Sequence, residues 1–124
     1  MRWVVLLIDL NELIVDTLTG LGLDVAMDLY EGKKSKYIVF NYESEKGDMY
    51  ADDKPIKNTV YVQIHLFINF DEDYRQLKKK IRSRLFEVGF SYAQIALNAI
   101  EEDTKKRHIC FRCEYVEDLE SEVM

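Results

Sequence analysis

Few side chains in this sequence do chemistry readily, and their spacing decides what they can do. Cys110 and Cys113 frame the segment Cys110-Phe111-Arg112-Cys113, a spacing used by metal and redox sites. The surrounding run, Arg107 to Val116, predicts a strand, and residues three apart on a strand face opposite ways, so the two thiols do not converge. Cys113 then reads as a small buried hydrophobe beside Ile109, Phe111 and Tyr115. His108 and Cys110 share a face of that strand, and His65 lies on the semi-polar side of another. If the two strands pair, these three define a conceivable metal site for an enzyme. Half-exposed sheet histidines are the simpler account, since no fourth ligand is evident.

Carboxylates are plentiful, but Asp52 and Asp53 are adjacent in a predicted loop, where a solvated or partner-facing role suits them better than acid–base catalysis. There is no glycine-rich phosphate loop, no serine in a nucleophile elbow and no histidine-based zinc-protease motif. We therefore expect no catalytic, cofactor-binding or metal-binding residues, no cofactor, and a protein that works by binding other protein surfaces.

Stepping outward from those residues, the elements that must position them form one domain. A chain of 124 residues is the size of a single domain, and five Gly with one Pro argue against long disordered segments. The stretch Asp9 to Gly20 puts Leu10, Leu13, Ile14, Thr17 and Leu18 at helical spacing, with Asp9 as N-cap and Gly20 or Gly22 as the stop. An extended segment follows from Asp24 to Tyr30, then a turn at Glu31 to Lys34 and a strand from Lys36 to Tyr42. Between Glu43 and Lys57 the polar composition, with Gly47 and Pro55, predicts a hairpin whose tip or arm reaches outward, Met49 to Ala51 being a short strand. The clearest strand is the next one. Val60, Val62, Ile64, Leu66, Ile68 and Phe70 alternate with Tyr61, Gln63, His65, Phe67 and Asn69, giving one core face and one semi-polar face.

From Asp71 to Val88 the period becomes helical, with Tyr74, Leu77, Ile81, Leu85 and Val88 on one face and Gly89 as the stop. Asp71, Glu72 and Asp73 are expected in its first turn, and Arg75, Lys78, Lys79, Lys80, Arg82 and Arg84 over its outward side. Strands are expected at Phe90 to Asn98 and Arg107 to Val116, and Glu117 to Met124 as an acidic, frayed tail. Met1 to Ile8 are apolar after Arg2, too short for a membrane span and without a cleavage site, so they read as no targeting segment but as either an extra N-terminal strand or a start-site artefact. The whole predicts an α+β fold in the order α-β-β-(β)-β-α-β-β, mainly antiparallel, with helices packed on one face.

The net charge of −6 disfavours a general or sequence-specific nucleic-acid binder. Two cysteines are too few for a disulfide framework, so a reducing compartment, the cytoplasm of a host cell, is expected. The basic helix and the polar hairpin each read either as solvated surface or as docking surface. Asp52, Asp53 and Lys54 in the hairpin, with Arg75, Lys79 and Arg82 on the helix, are the candidate partner or ring contacts.

The layout resembles the tail terminator, or tail-completion, proteins of long-tailed bacteriophages. The resemblance runs from about Leu10 to Val116 and rests on several phrases. They are Tyr37-Ile38-Val39-Phe40-Asn41-Tyr42, Met49-Tyr50-Ala51-Asp52-Asp53, the long strand Val60 to Phe67, Asp71-Glu72-Asp73-Tyr74, Phe86-Glu87-Val88-Gly89-Phe90, and Glu101 to His108. It implies a hexameric ring in the neck of a virion, assembled in the host cytoplasm. Such a ring caps the tail tube, ends its growth and joins it to the head connector or head-completion protein, with no cofactor and no membrane. The alternative is a small cytoplasmic α+β regulatory or ligand-binding module with a pocket between sheet and helix.

Overall fold

The computed structural model describes residues 9–51 and 54–118. The expected N-terminal strand at residues 1–8, the candidate contacts Asp52 and Asp53, and residues 119–124 of the acidic tail lie outside the described residues.

The fold is α+β. Helix α1 spans Leu10–Thr19 and α2 spans Arg75–Glu87; the strands are β1 Asp24–Met27, β2 Tyr37–Ala51, β3 Lys54–Asn69, β4 Gln94–Glu101 and β5 Lys106–Asp118. They form one five-stranded sheet in the order β1-β2-β3-β5-β4. The sheet is mixed: β1 runs parallel to β2, and the other three pairings are antiparallel.

Asp9 starts α1 as expected, its carboxylate accepting from the backbone N–H of Asn11 at 3.0 Å and Glu12 at 3.3 Å. α2 begins later than its acidic approach suggested. Asp71, Glu72 and Asp73 precede the helix instead of filling its first turn, because the Asp73 carboxylate accepts from the Arg75 N–H and takes the orphan donor there. Leu10, Ile14 and Leu18 of α1, with Ile81 and Leu85 of α2, pack on Ile38 and Phe40 of β2, Val60, Val62, Ile64 and Leu66 of β3 and Ile109, Phe111 and Cys113 of β5. Both helices therefore cover the same sheet face. The alternation of β3 explains this side: Val62, Ile64 and Leu66 are 0% exposed.

Several strands depart from their expected bounds. β2 does not stop at Tyr42; after a bulge between Tyr42 and Ser44 it continues to Ala51, pairing with β3 as far as Ala51 opposite Lys54. β5 follows this ribbon to Asp118 opposite Lys57, so Glu117 and Asp118 are strand and not frayed tail. β4 begins at Gln94, because Phe90 and Ala93 are used as core residues in the connection from α2.

No residue of β2 after Tyr42, and none of β3 before Val60, belongs to the core cluster among the described residues. At about 3.3 Å per residue the ribbon projects roughly 30 Å past the helix-covered body.

Candidate functional site

Three surfaces have enough built structure to act: the helix-free sheet face, the groove between the helices, and the projecting ribbon.

On the helix-free face β3 and β5 are neighbours, which meets the condition the histidines required. His65 and Cys110 are register partners, and Phe67 is opposite His108. His65 Nδ1 lies 2.8 Å from His108 Nε2, and His65 Nε2 lies 2.9 Å from Asn41 Oδ1. Asn41 in turn donates to Gln63 Oε1 at 3.1 Å. With the Asn41 oxygen accepting, His65 carries its proton on Nε2 and accepts at Nδ1 from His108 Nε2–H, so the donors run His108, His65, Asn41, with Gln63 as the final acceptor. His108 Nδ1 remains, 3.6 Å from Glu101 Oε2.

Burial lowers the pKa of His65, and the neighbouring His108 lowers it further. Burial also lowers that of His108, with Glu101 acting in the opposite direction. The thiols are no more reactive. Burial raises Cys110, and it pushes Cys113, in the core on the opposite face, up to about 12. Among the described residues no group of three or more His, Cys, Asp or Glu side chains is placed to hold a metal ion. The His65, His108 and Cys110 constellation thus shares a face without forming a ligand set.

Beside the histidines runs an aromatic stack. Tyr30 lies on Tyr37 at 4.0 Å between ring centroids, Tyr37 on Phe67 at 5.1 Å, and Phe67 on His108 at 4.4 Å. Tyr30 is pinned by its hydroxyl, which donates to Asp24 Oδ2 at 2.7 Å and accepts from the Lys34 N–H at 3.0 Å. Gly32 makes room for it, since a Cβ there would meet the Tyr30 ring at 2.3–2.6 Å. The stack and the histidines line a shallow concavity of about 350 Å³. Sequence reasoning placed His65 on this face but missed the stack and the Asn41 to Gln63 network, because the registers of β2, β3 and β5 were not readable; the polar alternation of Tyr61, Gln63 and His65 was the available signal.

Of the candidate contacts on α2, Lys79 lies exposed in the groove between α1 and α2, a concavity of about 580 Å³ that also holds Lys80 and Arg84. Arg75 is exposed but engaged locally: its guanidinium donates to both carboxylate oxygens of Asp73 at 3.0 and 2.9 Å, and these bonds hold that carboxyl down to about 2. Arg82 does not lie on the outward side as expected. Its guanidinium stacks on Tyr92 at 4.4 Å and its Nε donates to the Ala93 carbonyl at 2.9 Å, so it fastens the α2–β4 connection. Lys54 is the first residue of β3, opposite Ala51 in the ribbon.

α2 carries three Lys and three Arg against the single acid Glu87, a formal +5 in a chain of net −6, which leaves −11 for the remainder. α2 is thus the basic element of an acidic chain. No helix among the described residues is long and apolar enough to cross a membrane. No protein-family model matches the chain, and no curated protein matches it.

Proposed function

We propose that this chain is a structural virion protein at the head–tail junction of a long-tailed bacteriophage, forming a homo-hexameric ring that caps the tail tube, ends its growth and joins it to the head connector. The reading rests on the resemblance in layout, and the observation that carries it furthest is the ribbon. The ribbon lies outside the core cluster, is joined by β5 only as far as Lys57 and is two-stranded beyond it; such a strand pair is marginal in water, so a projection of about 30 Å is best explained by a surface that receives it. Candidate contacts are Asp52, Asp53 and Lys54, with Arg75, Lys79 and Arg82 on α2, of which Arg82 also fastens the α2–β4 connection.

Light scattering over a concentration series, alone and with isolated tail tubes, tests the reading. A ring of six, or binding to tube ends, is expected. A chain that stays monomeric and ignores tube ends removes it.

A second reading, a small cytoplasmic regulatory or ligand-binding module, is favoured by the concavity walled by Tyr30, Tyr37, Phe67 and His108, which suits a flat ring better than a chain. A stable dimer that retains a small molecule through purification would select it.

A further inference from the structure

We propose that the groove between α1 and α2 of one copy receives the helix-side acidic face of the ribbon of a second copy, with Lys79, Lys80 and Arg84 meeting Glu45 and Glu117. This rests on the ring reading above and names the contact that would build the ring.

Both halves of the contact are incomplete within one copy. Lys79 and Lys80 are exposed, and neither they nor Arg84 has an ion-pair partner among the described residues. Arg84 lies against the end of α1. Gly20 at the end of α1 leaves room for it, since a Cβ there would lie 2.5 Å from Arg84 Nη1. α1 has no basic residue in its last turn, so Arg84 supplies from α2 the positive charge that the C-terminal end of α1 favours. The groove thus carries three cations, with Asp16 and Glu87 also on its lining.

On the ribbon, Asn58 donates to Glu45 Oε1 at 3.0 Å and to Glu117 Oε1 at 2.9 Å. One neutral amide therefore holds two carboxylates side by side, and no Lys or Arg pairs with either among the described residues. Like charges set close across strands repel, and a cation from outside relieves that repulsion. The negative field is felt nearby: burial, then Asp9, Glu117 and Glu45, push the Tyr42 hydroxyl up to about 12.

Two unlike patches on one chain make a heterologous contact, which passes from copy to copy and closes as a ring when the rotation allows. Charges at such a contact also select partner and register.

The experiment is a charge exchange read by light scattering. Lys79→Glu/Lys80→Glu and Glu45→Lys/Glu117→Lys are each expected to need at least about tenfold more protein than the parent chain to associate. An equimolar mixture of the two variants is expected to recover association, because every groove then meets a ribbon of opposite sign. Recovery in the mixture also shows that both variants are folded. The same tenfold weakening of the parent chain is expected between about 0.05 and 0.5 M salt. If the parent assembles and either variant assembles equally well, or if the mixture stays apart, the contact is wrong while the ring reading stands. If Lys79→Glu/Lys80→Glu loses only the binding of inorganic polyphosphate and assembles normally, the groove is an anion site and the contact is overturned. A parent chain that never associates, alone or on tail tubes, removes both.

Discussion

The two faces of β3 share one backbone and differ in what lies over them. Toward the helices, Val62, Ile64 and Leu66 are sealed by aliphatic side chains from α1 and α2. On the other side, Tyr61, Gln63, His65 and Phe67 are half-buried, and the last three are held by stacking on Tyr37 and His108 and by a relay of amide and imidazole bonds through Asn41. The first face is stabilised by exclusion of water, which is strong and non-directional; the second by directed contacts among groups that water could satisfy nearly as well. Stability is therefore concentrated on the covered face, and the open face is free to be tuned for recognition.

That contrast can be broken by substitution. Ile64→Ala, which leaves a cavity under both helices, is expected to cost about 3–4 kcal/mol in urea unfolding. Phe67→Ala on the same strand removes two stacking partners from a half-buried site and is expected to cost about 1–2 kcal/mol. A similar loss from both would show that the open face is as tightly packed as the core. Asp9→Ala, which removes the cap of one covering helix without touching the core, is expected to cost about 1 kcal/mol.

The smallest effect is a pH dependence confined to the open face. His65 and His108 both have pKa values held below 6.5 by burial, so below that pH the unfolded chain takes up protons more readily than the folded one. Their contribution to stability is present above pH 6.5 and is lost as pH falls through the window below it. Thermal midpoints measured from pH 7.5 to 5 should fall, and the fall should be shallower in His65→Gln/His108→Gln. An unchanged slope would show that these two groups are not the ones titrating.

Much of this was legible before any coordinates, for reasons that differ by residue. The alternation from Val60 to Ile68 identified β3 and its core face, because period two has one interpretation over so long a run, but Phe70, expected to continue that face, lies past the end of β3 and is exposed. The opposed faces of Cys110 and Cys113 followed from the same geometry. The parallel pairing of β1 was hidden, since Asp24–Met27 is too short to show a period. The ribbon was half visible: Gly47 and Pro55 announced a hairpin, but charged side chains gave no sign that the ladder continues through them, because backbone pairing does not need apolar residues. Arg82 misled because it sits among lysines in sequence and beside Tyr92 in space. The contact of His65 with His108 depends on a register between segments far apart in the chain, which no local pattern encodes.

The place of β5 in the sheet has a consequence for how a copy comes into being. It is the last of the described strands in chain order, yet it lies between β3 and β4 and pairs Lys57 with Asp118. The β2–β3 hairpin can close early, being local, whereas the β3–β5 pairing must wait for nearly the whole chain and for the loop-closure entropy that such separation costs. Until then β3 presents a long unpaired edge, the kind that captures other strands. Glu117 reaches Asn58 only when that final strand zips in. Until it does, the Glu45–Asn58–Glu117 patch is incomplete, so the proposed copy-to-copy contact would wait on the completed sheet.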